Sequence, residues 1–212
     1  MGYKLIPEAV RRGHDKVDYR FEMQRQFIHV ILGIFLINII LFLPYYESIL
    51  LAGLVVLGTI SFLQTKGLKI PIIHNVLRLF ERDDERSGIR ARGLLFFLLG
   101  SFLVSLLFSK SIALASIAIL TFADSTSHLF WPFGRIKNPL NNKKVLEGAI
   151  GGGIIGGIAA SVFVPIIIAC SVSLIVMFLE AVELKYKHII IDDNLVIPLV
   201  SAILISLGFM LL

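Results

Sequence analysis

The chain has 212 residues, 57% of them apolar and only 17% charged, with 20 Lys and Arg against 15 Asp and Glu, and its mean hydropathy is +0.88. A soluble domain carries about 25% charged residues, so the composition excludes an ordinary soluble globular protein and fits an integral membrane protein. The formal charge of +5 suits an anionic membrane surface or an anionic soluble substrate and calls for no nucleic acid.

A membrane-spanning helix takes about 20 residues, and seven apolar stretches approach that length: 27–43, 48–64, 93–109, 112–130, 148–164, 166–182 and 195–212. The expected fold is all-α, a polytopic bundle of about seven transmembrane helices forming a single domain over 1–212. The first 26 residues mix charges without the apolar core of a cleavable signal, so targeting is expected to rest on the first span. Segments 1–26, 65–92, 131–147 and 183–194 hold six, seven, four and two of the Lys and Arg residues, leaving only Lys110 outside them. The positive-inside rule then puts all four segments, and the N-terminus, in the cytoplasm.

Where the first span begins, Glu22, Arg25 and His29 follow one another at intervals of three and four and share one helical stripe. Such a stripe serves either as an interfacial salt bridge or as a grip on phosphate oxygens through Arg25. The 65–92 loop sets Ile70, Ile73, Leu77 and Phe80 at helical spacing, which predicts an amphipathic helix on the inner membrane surface. His74 within it reads as an interfacial side chain.

The span at 112–130 carries Asp124 near its cytoplasmic end, with Thr121 and His128 on the same face. A carboxylate within a span is expensive unless it faces a cavity or a partner, so Asp124 is a candidate site residue. After Pro139, Asn141 and Asn142 come Lys143 and Lys144, then Glu147 and Gly148 as the fifth span starts. Two lysines at a helix N-terminus make a site for polyphosphate, although lysines beside a span also serve as plain anchors. The run from Gly148 to Ser161 repeats glycine every four residues, at 152 and 156 and at 153 and 157. That spacing predicts a tight helix crossing or a homodimer contact. A phosphate-cradling loop is not expected, since no strand pattern precedes the glycines. Before the last span stand Asp192, Asp193 and Asn194. Adjacent acids fit a hard cation such as Mg²⁺, or simply cap the final helix.

Together these motifs supply acids for a divalent metal and bases for a polyphosphate beside an apolar surround, which fits phosphoryl or nucleotidyl transfer to a membrane lipid. The whole chain resembles the polyprenol kinase family, which comprises dolichol kinases, phytol kinases and CTP-dependent diacylglycerol kinases and is related to the phosphatidate cytidylyltransferases. The resemblance lies in Glu22, Arg25 and His29; in Asp124 followed by Gly134; in Lys143, Lys144, Glu147 and Gly148; and in Asp192, Asp193, Asn194, Leu195, Ile197, Pro198 and Leu199. Gln26, Trp131 and Val145 depart from the Lys, Gly and Ser usual there. Losing a lysine and a hydroxyl bears on nucleotide grip and choice.

The resemblance implies a membrane kinase with CTP as phosphate donor, Mg²⁺ as cofactor and a polyprenol-like or dolichol-like lipid alcohol as acceptor, its active site facing the cytoplasm. Under it, Asp124, Asp192 and Asp193 bind metal, while Lys143, Lys144 and Arg25 contact the triphosphate. Glu22, Glu147, Gly148 and Asn194 pack or orient the site, and His29 or one of the aspartates accepts the hydroxyl proton. A phosphatidate cytidylyltransferase-type synthase is the second reading, and a non-enzymatic carrier or channel the third.

Overall fold

The structure, a computed structural model, describes residues 19–67, 91–130, 133–134, 136–138, 141–180, 185–186, 189–190 and 192–211. The expected amphipathic helix around Ile70 to Phe80, His74 and most of the N-terminal segment lie outside the described residues. Among the described residues there are seven helices: α1 (Tyr19–Phe42), α2 (Tyr46–Thr65), α3 (Arg92–Leu107), α4 (Lys110–Phe130), α5 (Leu146–Ala160), α6 (Ile166–Glu180) and α7 (Asp193–Leu211). Each coincides with one of the seven apolar stretches. Four of them, α1, α2, α4 and α7, are long and apolar enough to cross a membrane, while α3, α5 and α6 are shorter apolar helices. The chain is therefore an all-α, multi-pass type of membrane protein in outline.

The helices differ sharply in what covers them. In α4, 67% of the most apolar stretch is buried inside the protein, against 28% in α1 and α7 and 11% in α2. The central position of α4 follows from its sequence, since Ala113, Ala115, Ser116 and Ala118 are small enough for neighbours to close on every side, and all four are buried. Residues Ile119–Asp124 of this helix are π-helical, a rare geometry that recurs at functional sites. Thr121 within it donates its hydroxyl to the Ile117 carbonyl at 2.7 Å.

Glycine sets the distances around α4. On α5 the buried residues are Gly148, Ala149, Gly152, Gly153, Gly156, Gly157 and Ala160, so the glycines fall on two adjoining faces. A Cβ at Gly152 would lie 2.5 Å from the Ala123 carbonyl oxygen, and one at Gly157 would lie 2.8 Å from Cys170 Cα on α6. At Gly156 the added atom would meet both neighbours at once, 2.5 Å from Ala123 Cβ and 2.7 Å from Ser173 Oγ. The tight crossing expected from the glycine spacing is thus made within the chain. The opposite face of α5 exposes Ile150, Ile154, Ile155 and Ile158. On α1, Gly33 plays a similar part, seated directly against the Thr121 side chain.

Two short antiparallel hairpins depart from the purely helical expectation: β1 (Lys137–Asn138) with β2 (Asn141–Val145), and β3 (Lys185–Tyr186) with β4 (Ile189–Ile190). A strand does therefore precede the glycine-rich helix, contrary to the sequence reading. Its role is to clamp the helix start: the Glu147 carboxylate accepts the Ile136 N–H at 3.0 and 3.3 Å, and Leu146 N–H donates to the Ile136 carbonyl. At the other end of the bundle Lys110 donates to the Leu41 carbonyl at 3.1 Å and lies over the Tyr46 ring. The one basic residue excluded from the four basic segments thus completes the C-terminus of α1, where the helix dipole favours a cation.

Replacing Gly156 with Ala forces a methyl between α4 and α6 and is expected to destabilise the protein by about 1–3 kcal/mol. Gly58 on α2 has nothing within 4 Å of its added Cβ, so Gly58→Ala should be neutral or stabilising by up to about 1 kcal/mol. Thermal melts of the two variants in one detergent check the contrast; equal melting temperatures would contradict the packing described.

Candidate functional site

Asp124 closes the π-helical stretch of α4 and is buried. Its Oδ1 lies 3.4 Å from His128 Nε2 one turn along, and its Oδ2 lies 3.8 Å from His29 Nε2 on α1. The close approach at Gly33 explains the second contact, because Gly33 is one turn from His29 and Thr121 is one turn from Asp124. The edge of Phe97 from α3 meets His29 at a centroid distance of 4.5 Å and an interplanar angle of 90°, which fixes the ring.

The chain of polar groups continues on α1. His128 Nδ1 lies 3.8 Å from Glu22 Oε1, and that oxygen accepts hydrogen bonds of 2.7 Å from both Arg25 Nη2 and Gln26 Nε2. The expected stripe of Glu22, Arg25 and His29 is thus present, with Arg25 turned onto Glu22. Gln26, at the position of the missing lysine, is 2% exposed, and its Oε1 has no hydrogen bond among the described residues.

The third contributor is Glu180, the last residue of α6, buried at 8% exposure. Ligand atoms of Asp124, His128 and Glu180 all lie within 4.8 Å of one another, and among the described residues this is the group of His, Cys, Asp and Glu able to hold a metal ion. Glu180 is not among the residues that the sequence motifs single out. The available signal is its register: Ser173, Val176 and Met177, spaced seven, four and three residues before it, are all buried, so Glu180 continues the inward face of its helix.

The Asp-Asp-Asn motif is placed differently. Asp192 Oδ1 accepts the Asn194 backbone N–H at 3.1 Å and its side-chain amide at 3.0 Å, while its carbonyl accepts N–H groups of Leu195 and Val196. Asp192 is therefore the N-cap of α7. Its Oδ2 lies 3.5 Å from Arg92 Nε, and Asn194 also donates to the Gly93 carbonyl on α3 at 3.3 Å. Burial raises the Asp192 carboxyl above the ordinary carboxylate range, against the opposing pull of the Asn194 N–H and of Arg92. Asp193 is exposed on the first turn. The geometry that brings Asp124 to Glu180 and His128 thus joins Asp192 to Arg92 and Asn194, and the expected metal trio of Asp124, Asp192 and Asp193 is not one of the groups within ligating range of one another.

Lys143 and Lys144 belong to strand β2 and not to the helix N-terminus expected for them; the placement of their side chains lies outside the description. Gly134 packs against Val145, and Gly148 against the Ser127 carbonyl, where a Cβ would lie 2.8 Å away. Val145, standing where the resembled family has Ser, is buried. Beyond Asp124 a wholly apolar groove of about 270 Å³ opens between α1, α4 and α5, lined by Ile34, Ile37, Ala118, Phe122 and Phe163 among others.

The uncharacterized protein MJ1137 of Methanocaldococcus jannaschii is 30% identical to this chain over 187 residues, which cover 87% of this chain and 93% of the relative. The uncharacterized protein RP860 of Rickettsia prowazekii is 29% identical over 191 residues, covering 86% and 92%. No family model and no solved structure matches the chain.

The raised Asp192 carboxyl carries a pH signature. The folded chain holds that proton more tightly than the unfolded one, whose value is about 3.9, so this contribution to stability is full below that pH and is lost as pH rises through the folded value. Asp192→Asn keeps an acceptor at the cap and removes the titration; its melting temperature at pH 7 should match or exceed wild type. Asp192→Ala should lose about 1 kcal/mol. An Asn variant as unstable as the Ala variant would contradict the capping role.

Proposed function

The chain belongs to the family of the Methanocaldococcus jannaschii protein, and from that premise we propose that it is a seven-span membrane kinase that transfers the γ-phosphate of CTP to an isoprenoid lipid alcohol at the cytoplasmic face. Orientation comes from the basic residues: the end of the bundle that carries Asp124 and Glu180 is the end that joins the basic segments, and it faces the cytoplasm under the positive-inside rule. The observation that supports the reading most strongly is a carboxylate, Asp124, in the most buried helix of the bundle, meeting a second carboxylate and two imidazoles from other turns and helices. Purely structural polar pairs in a span need one partner; this one has several.

Phosphoryl transfer asks the protein chiefly to position reactants and neutralise charge. The acceptor oxygen forms a bond to the γ-phosphorus, the bond from that phosphorus to the bridging oxygen breaks, CDP leaves, and the hydroxyl proton passes to His29 or a neighbouring carboxylate. Divalent cations would supply charge neutralisation when bound: Mg²⁺, by family resemblance, carried by the nucleotide, and a cation for which Asp124 in the buried cluster is a ligand. Asp193, exposed on the first turn of α7, is the acid of its motif that a nucleotide-bound cation reaches from water. Lys143 and Lys144, on the strand clamped to α5 by Glu147, supply cations for the triphosphate. The apolar groove between α1, α4 and the end of α5, lined by Ile34, Ile37, Ala118 and Phe122 among others, suits the hydrocarbon chain of a substrate that enters from the bilayer. A phosphatidate cytidylyltransferase-type activity uses the same groups and differs in the bond broken.

The test incubates purified protein with CTP labelled at the terminal phosphate, and separately at the α-phosphate, together with total lipid alcohols. The kinase reading expects terminal label in the organic phase and release of CDP; α-label in lipid with pyrophosphate release would replace it with the cytidylyltransferase reading, and no lipid label from any nucleoside triphosphate would contradict both. Asp124→Asn should lower transfer ~10²-fold or more, with the melting temperature nearly unchanged. Lys143→Gln should raise the KM for nucleotide and spare kcat. Near wild-type turnover in the Asp124 variant would remove that residue from the mechanism.

A further inference from the structure

The contact between Asp124 and His128 has an unusual length. A hydrogen bond from an imidazole to a carboxylate is about 2.7–2.9 Å long, whereas His128 Nε2 and Asp124 Oδ1 are 3.4 Å apart. Two donors each about 2.1 Å from one shared ion are separated by about 3.0–3.4 Å. Glu180 approaches the same pair from α6, and all three donor atoms lie within 4.8 Å of one another. Two further buried polar atoms belong to the same chain of side chains. Gln26, 2% exposed, has an orphan Oε1 while its amide nitrogen is held by the same Glu22 oxygen that lies near His128, and His29 Nε2, buried and without a hydrogen bond among the described residues, faces Asp124 Oδ2.

We propose that Asp124, His128 and Glu180 bind one divalent cation of the kind that accepts nitrogen as well as oxygen, Mn²⁺ in preference to Mg²⁺, at the junction of α4 and α6. Mg²⁺ favours an all-oxygen octahedron and gives up water reluctantly, while a mixed imidazole and carboxylate set suits first-row transition cations. Two carboxylates and one imidazole leave coordination positions for water or phosphate oxygen. Glu180 is the residue that completes the set, because it alone comes from α6. The ion's part in phosphoryl transfer rests on the kinase reading above; its binding does not.

Chelator-treated, full-length protein in detergent is titrated with Mn²⁺ alone, and the free ion is read by its six-line electron paramagnetic resonance signal. Wild type should remove one Mn²⁺ per chain from that signal, with Mg²⁺ competing only at tenfold or higher concentration. Asp124→Asn and Glu180→Gln should each weaken binding at least tenfold, and Glu180→Asp, which keeps the charge, should bind better than Glu180→Gln. Nitrogen modulation in the pulsed spectrum should vanish in His128→Gln and persist in His29→Gln. The proposal is overturned if the wild-type signal is unattenuated, if Glu180→Gln elutes as wild type and binds equally well, or if nitrogen modulation survives in His128→Gln. Lipid phosphorylation with no Mn²⁺ bound would sink this inference and leave the kinase reading standing, and bound Mn²⁺ without phosphoryl transfer would do the reverse.

Discussion

The structure depends on how thin α5 is. Helix interiors disfavour glycine by about 1 kcal/mol each relative to alanine, and five glycines of α5 are buried, so their presence needs a compensating contact. In lipid that contact is dispersion between backbones, since apolar surfaces gain little by leaving a solvent as oily as themselves. With no side chain on its two inner faces, α5 lets α4 and α6 close around it until Gly156 touches Ala123 and Ser173 together. One turn above Ser173 lies Met177, and a further turn brings Glu180; one residue above Ala123 lies Asp124. The meeting of the two carboxylates is a consequence of that packing.

The same logic explains why the polar groups stop at one end. Along the remainder of α4 the buried neighbours are Ala113, Leu114, Ala115, Ile117 and Ala118, and the serines and threonines there return their hydroxyls to their own helix, as Ser116 does to Ile112 and Thr121 to Ile117. Backbone and hydroxyl groups are thus satisfied locally, which a bilayer requires. Among the described residues, it is at the Asp124 end that groups from α1, α4 and α6 turn toward one another. There the π-helical stretch adds its extra residue, and Phe97 and Gly33 bring His29 into reach.

Much of this was legible in the sequence. Seven apolar stretches correspond to seven helices, and the glycine spacing announced a close crossing. Glu22, Arg25, His29 and Asp124 could be singled out because ionisable groups are rare beside so much apolar sequence. What could not be read has physical reasons. The 137–145 hairpin is held by backbone pairing and by Glu147 on the Ile136 N–H, and its residues show no alternation of apolar and polar that would mark a strand. The π-helical geometry arises from tertiary packing and leaves no periodic trace. Asp192 and Asp193 look alike in sequence, yet the helix start makes one a cap and leaves the other exposed. Glu180 sits at the end of an oily helix like any interfacial acid until the position of α5 is known.

The most direct test of the account is the distance between the two carboxylate positions on α4 and α6. Asp124→Cys and Glu180→Cys introduced together in a Cys170→Ala background should bind Cd²⁺ and become protected from maleimide, and adding Gly156→Val should abolish that protection. Each single cysteine should be labelled to the same extent with and without Cd²⁺. If the pair reacts in Cd²⁺ as two independent thiols, α4 and α6 do not meet at this point, and the site described here does not exist.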